Sequence, residues 1–144
     1  MKPMPQVLLV DDNPADAGLA REALAGGRHQ SQINHVLDGV EALAFLHRAG
    51  QYANAVRPDL VILDLNLPRK DGRAVLAEAK ADADLRTIPV VVFSSSRAQR
   101  DIKRSYALGA NCYVSKPVSL KDYFLAMHSI EEFWFGSASL PEEE

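Results

Sequence analysis

A second cysteine is missing from this chain. Cys112 stands alone in 144 residues, which excludes an intrachain disulfide and a thiolate cluster for zinc and suits a reducing compartment; the expected role is a small buried side chain. Basic charge is not in excess either. Lys and Arg number 16 against 19 Asp and Glu, a formal net charge of -3, and no basic cluster stands out, so the electrostatic footprint needed to bind a phosphate backbone is lacking and DNA is not expected as a partner. No run approaches the roughly 20 apolar residues of a membrane span, and Met1-Lys2-Pro3-Met4-Pro5 does not lead into a signal-type apolar stretch. A cytoplasmic protein with no membrane partner is the expectation. His29, His35, His47 and His128 are scattered without ligand spacing, and no metal chemistry is read from them.

What is present is an alternation. Five short apolar, β-branched runs take turns with helical patterns, which argues for βαβ units and a parallel sheet with helices on both faces. The first run, Gln6 to Val10, is followed by Asn13-Pro14, an N-cap with proline at the first helical position, and that helix fades at Gly26-Gly27. A weaker strand lies near Gln32 to Leu37, and Asp38-Gly39 opens a second helix with a stop at Gly50. A third strand spans about Asp59 to Asp64, after which Asp71 is placed to cap a third helix. The fourth strand begins after Pro89, and Ser96 is the expected cap of a fourth helix ending at Gly109. A short strand around Cys112 to Ser115 precedes Lys116-Pro117, and Ser119 with Asp122 caps a last helix rich in aromatics. One domain over residues 1–135 is expected, with residues 136–144 as a flexible acidic tail.

The chemistry sits at the strand ends. Val7-Leu8-Leu9-Val10 delivers Asp11 and Asp12, Leu60-Val61-Ile62-Leu63 delivers Asp64, and Val90-Val91-Val92-Phe93 delivers Ser94. In an open parallel sheet the carboxyl ends of the strands line one edge, so these groups should meet. Carboxylates crowded there are costly unless a cation neutralises them, and a metal site is the first expectation.

Taken together, the Asp11-Asp12 pair, Asp64-Leu65-Asn66-Leu67-Pro68 with Asp71-Gly72, Ser94, Tyr113 and Lys116-Pro117 resemble the receiver domain of two-component response regulators from Leu8 to about Phe133. The resemblance implies a flavodoxin-like, CheY-like α/β fold: a doubly wound five-stranded parallel sheet in the order 2-1-3-4-5. It implies that Asp64 is the phosphoacceptor and that Asp11, Asp12, Asp64 and the backbone carbonyl of Asn66 hold Mg2+, with Mn2+ able to substitute. Asn66, Ser95 and Lys116 then cradle the phosphoryl group, Ser94 and Tyr113 act as the switch, and a cis bond at Lys116-Pro117 aims the lysine inward.

Further details look like the stand-alone regulators paired with bacterial phytochrome kinases: the run Asp64 to Arg73, the run Ile88 to Ser96 and the aromatic last helix. That subfamily implies a sensor histidine kinase as partner, a bacteriophytochrome among the candidates. It also implies a homodimer through a face holding Tyr106, Tyr113, Tyr123, Phe133 and Trp134. The expected role is that of a signalling phosphoacceptor, an enzyme only toward its own aspartate. A haloacid-dehalogenase-like phosphatase would carry its nucleophile on the first strand as Asp-x-Asp, the reverse of the order here. A phosphate shuttle or sink for the kinase, or an unphosphorylated pseudo-receiver scaffold, are the alternatives that the sequence leaves open.

Overall fold

The structure, a computed structural model, describes residues 4–142. Strands β1 (Gln6–Val10), β2 (Gln32–Val36), β3 (Leu60–Leu63), β4 (Val90–Ser94) and β5 (Cys112–Ser115) form a parallel sheet in the order β2-β1-β3-β4-β5. Helices α1 (Pro14–Ala25), α2 (Gly39–Leu46), α3 (Gly72–Ala81), α4 (Gln99–Ala107) and α5 (Leu120–Glu131) alternate with them. The expected fold and strand order are those observed.

Period-two alternation sends the side chains of each strand to two separate cores. Val7, Leu9, Leu60, Ile62, Val91 and Phe93 meet α1 and α5 through Ala20, Leu24, Met127 and Ile130. On the other face Leu8, Val10, Val61, Leu63, Val90 and Val92 meet α2 and α3 through Leu43, Phe45, Val75 and Leu76. Because β1, β3 and β4 are covered on both faces, every one of their residues from Val7 onward is buried, which is why they read as continuous apolar runs.

The caps follow the sequence with one exception. Asn13 accepts from the N–H groups of Ala15 and Asp16, Asp38 from Glu41, Asp71 from Arg73 and Ser119 from Asp122. Ser96 is not the cap of α4; that position is Ala98, and the Ser96 hydroxyl instead accepts from the Ala98 N–H and donates to Asp101. The Ser96 hydroxyl thus spans from the Ala98 N–H to Asp101 in the first turn, and α4 begins after Ala98 with no side-chain cap. At the other end α5 runs on as a π-helical segment, Glu132–Ser137, across the boundary expected at residue 135. Of the tail, Pro141 and Glu142 lie beside Arg57 and Thr87 at the amino end of the sheet, and residues 143 and 144 fall outside the described residues.

Two glycines let the loops at the carboxyl edge close. A Cβ on Gly39 would run into the carbonyl of Lys70, and one on Gly72 into the backbone of Asp64 and Leu65. Gly72→Ala is therefore expected to lower stability by about 1–3 kcal/mol, the usual cost of overpacking. Gly18 lies in α1, and the position a methyl group would take there has nothing within 4 Å, so Gly18→Ala should raise stability by roughly 0.5–1 kcal/mol. Urea denaturation of the two variants checks both signs.

Candidate functional site

Adjacent parallel strands in register bring their next residues side by side. Val10 pairs with Leu63, so Asp11 and Asp64 emerge together, Asp11 donating its N–H to the Val36 carbonyl and Asp64 to that of Val10. Asp11 is buried, its Oδ1 accepts from the Asn13 N–H at 2.9 Å, and its carbonyl accepts from His35 Nε2 at 2.7 Å. Asp12 is exposed to solvent. One carboxylate oxygen from each of Asp11, Asp12 and Asp64 lies within 4.8 Å of the other two.

Lys116 enters this cluster from the end of β5. Its Nζ donates to Asp11 Oδ2 at 2.8 Å, to Asp16 Oδ2 at 3.0 Å and to Asp64 Oδ2 at 3.0 Å. Burial works against its charge, but Asp11, Asp64 and Asp16 outweigh that and hold its pKa above the ordinary lysine value. Burial likewise raises the Asp11 carboxyl, and the hydrogen bonds from Lys116 and Asn13 offset only part of the rise. The expected cis bond is absent: no cis peptide occurs among the described residues, and Lys116-Pro117 is trans. Trans is the lower-energy isomer of an X-Pro bond, and the lysine reaches the acids without leaving it because the Lys116 N–H already pairs with the Ser94 carbonyl at 2.8 Å.

Asp16 is the site residue that sequence reasoning missed. Its only signal was its place in the first turn of α1, three residues beyond the Asn13 cap. The turn carries it back over the strand ends, where the carbonyl of Asp16 also accepts from Tyr123 Oη at 3.0 Å.

Ser94 ends β4 with 0% exposure, and its hydroxyl finds no hydrogen-bond partner among the described protein groups. An orphaned hydroxyl beside a carboxylate cluster is a donor without an acceptor, and an anionic oxygen arriving there would satisfy it. Asn66 and Ser95 are exposed at the rim, and the Asn66 N–H reaches Asp64 Oδ1 at 3.3 Å. Tyr113 is half-buried: its Oη donates to the Ser96 carbonyl at 2.8 Å, and its N–H donates to Tyr106 Oη at 3.2 Å. Through Ser96 the ring is tied to the loop that follows Ser94.

The aromatic face needs one correction. Tyr123 is 5% exposed, packed edge-on against Phe93 with ring centroids 5.3 Å apart, so it belongs to the core and not to a partner surface. Its hydroxyl finds an acceptor in the Asp16 carbonyl, which is what permits a tyrosine to be buried. Tyr106 and Phe133 are about half exposed, and Trp134 lies partly against the α1–α5 core. Cys112 is half-buried in β5, where burial raises its thiol pKa, as a structural cysteine requires.

Four carboxylates (Asp11, Asp12, Asp16 and Asp64) thus face one ammonium. The remaining negative charge draws a cation, and an all-oxygen donor set near solvent fits a hard divalent ion that retains several waters.

The family model of the response regulator receiver domain matches residues 7–128. The response regulator Rcp1 of Synechocystis sp. is 46% identical over 135 residues, covering 94% of this chain and 92% of Rcp1. The crystal structure of the phosphorylated cyanobacterial phytochrome response regulator RcpA superposes with a TM-score of 0.94 at 50% identity, covering 97% of this chain and 100% of that one. The Mn2+-bound form of Rcp1 superposes with a TM-score of 0.92 at 45% identity, over 96% and 99% of the two chains. With this sheet order, the acids at its carboxyl edge and these matches, the chain belongs to the response regulator receiver domain family.

Proposed function

We propose that the chain is a phosphorylation switch in which Asp64 accepts a phosphoryl group from a histidine of a sensor kinase. The observation that carries this reading is the Lys116 ammonium held 3.0 Å from Asp64 Oδ2, beside a buried Ser94 hydroxyl that has no partner among the described residues. A carboxylate oxygen of Asp64 attacks phosphorus in line with the leaving nitrogen. An O–P bond forms, the N–P bond of the donor breaks, and the electron pair returns to the imidazole. Lys116 follows the charge from the carboxylates to the phosphoryl oxygens, and the Ser94 hydroxyl gains an acceptor on one of them. Asn66 and Ser95 offer backbone N–H groups at the rim. Asp11, Asp12, Asp64 and the carbonyl of Asn66 would hold Mg2+, or Mn2+ in its place, and the ion supplies neutralisation of the charge that develops on the phosphoryl group.

Phosphate favours whichever conformation adds the Ser94 and Lys116 contacts, so the site biases a population rather than forcing a movement. Tyr113 is the residue through which we route that bias, because the Ser96 carbonyl that holds its hydroxyl follows Ser94 by two positions. The output face is made by α4, β5 and α5. Tyr106, Leu120, Leu125 and Phe133 are each at least half exposed there, which supports pairing with a second copy through a face of Tyr106, Tyr113, Phe133 and Trp134. The similarity to RcpA and Rcp1 supports a phytochrome-type histidine kinase as the donor.

Intact mass after incubation with acetyl phosphate tests the reading. Wild type should gain one phosphoryl group only with Mg2+, and Asp64→Asn should gain none; a folded, Mg2+-binding wild type that stays unmodified with acetyl phosphate and with its kinase would point to a scaffold instead. Size exclusion of the same samples reads out dimer formation.

Lys116→Met leaves Asp11, Asp16 and Asp64 facing one another without their cation, and a stability loss of roughly 3 kcal/mol is expected, partly recovered by added Mg2+. Ser94→Ala removes a buried hydroxyl that has no partner among the described residues, so the unphosphorylated protein should be stabilised by about 1 kcal/mol while the phosphorylated form loses stability relative to wild type. Thermal unfolding with and without acetyl phosphate distinguishes these signs.

A further inference from the structure

At the amino end of the sheet, away from the aspartates, the loop between α1 and β2 meets the carboxyl end of α5. Glu131 is 1% exposed there, a severe burial for a carboxylate. Its Oε1 accepts the backbone N–H of His29, but its Oε2 is buried with no hydrogen-bond partner among the described residues. A buried carboxylate oxygen left unpaired is costly, and a cation bound beside it would offset that cost.

The neighbours are metal-ligand types. Glu132 Oε2 lies 3.6 Å from His29 Nε2, while its other oxygen lies 3.5 Å from Arg28 Nε, so the inner oxygen is turned toward the imidazole. One ligand atom from each of His29, Glu131 and Glu132 falls within 4.8 Å of the other two. Gly136 packs closely beside them, and a side chain there would crowd the group: a Cβ would stand 2.9 Å from His29 Nε2 and 3.3 Å from Glu132 Oε2.

We propose that His29, Glu131 and Glu132 form a second metal site, distinct from the aspartate cluster, that takes a divalent ion of the zinc class. The donor set decides the class. An imidazole nitrogen with two carboxylates suits Zn2+, whereas Mg2+ prefers an all-oxygen octahedron and belongs with Asp11, Asp12 and Asp64. Metal–ligand bonds of about 2.0–2.1 Å in a tetrahedron put neighbouring ligand atoms roughly 3.3 Å apart, close to the His29–Glu132 separation already present. Glu131 Oε2 gains a partner in the ion, water fills the fourth position, and Arg28 stays on the outer oxygen of Glu132. The ion links the loop at His29 to the start of the Glu132–Ser137 segment, which carries the exposed Phe133. Occupancy therefore fixes how that segment leaves α5.

Zn2+ titration by calorimetry on the full chain, stripped with chelator, tests the site. The background is Asp12→Asn with Asp64→Asn, to disable the aspartate cluster. One equivalent of Zn2+ should bind and raise the melting temperature, and excess Mg2+ should not displace it. Adding His29→Gln or Glu132→Gln should weaken Zn2+ at least tenfold; both residues reach solvent, so the fold is expected to survive their replacement, whereas Glu131→Gln would perturb folding and binding together. No binding in that background, or binding unchanged by His29→Gln, overturns the proposal and leaves Glu131 as a buried structural acid.

Discussion

The Lys116 ammonium among Asp11, Asp16 and Asp64 is the interaction on which the carboxyl edge of this sheet depends. It joins the end of β5 to residues up to 105 positions away in the chain. Two unit charges about 4 Å apart interact by roughly 4 kcal/mol at an effective dielectric constant near 20, attraction and repulsion alike. The repulsion among the acids is thus of the same size as any one of their attractions to the lysine. With the lysine in place the cluster holds together; with four acids and one lysine it still carries surplus negative charge. That imbalance gives the resting protein a site that is stable yet ready for a cation.

The two cores make this electrostatic arrangement possible. Val7, Leu9, Ile62 and Phe93 on one face and Leu8, Val10, Leu63 and Val92 on the other fix the register of β1, β3 and β4, and a slip of one residue would exchange the two sets. Register in turn decides that Asp11 and Asp64 emerge side by side and that Ser94 ends its strand buried next to them. The close approach of the loops at Gly39 and Gly72 completes the edge. A loop atom displaced there is felt at the acids directly, since the carbonyl of Asp64 itself lies against Gly72.

Much of the site was legible because strand ends of a parallel sheet converge by construction. Asp11, Asp12, Asp64 and Ser94 each follow a continuous apolar run, and Lys116 follows the fifth. Residues whose place depends on helix rotation or loop closure were not legible. Asp16 is one turn into α1, and nothing in its local sequence tells whether that turn faces the strand ends or solvent. Tyr123 sits in an apolar stripe shared by core and surface aromatics, and only the acceptor at the Asp16 carbonyl shows that its hydroxyl can be buried. Ser96 has the composition of a helix cap, but its hydrogen bond to Asp101 depends on a side chain five residues on.

The sequence by itself determined the fold, the strand order through its family resemblance, and the set of acids at one edge, because hydrophobic period and strand-end chemistry are local properties of the chain. Only the tertiary structure decided which cation holds those acids at rest, that Lys116 reaches them through a trans bond, and that Ser94 is buried without a partner among the described residues. It alone also brought His29, one of four histidines without ligand spacing, against Glu131 and Glu132 more than a hundred residues later. Such meetings are set by how α1 and α5 lie against one face of the sheet. Packing of that kind is a property of the whole core, and no window of sequence contains it.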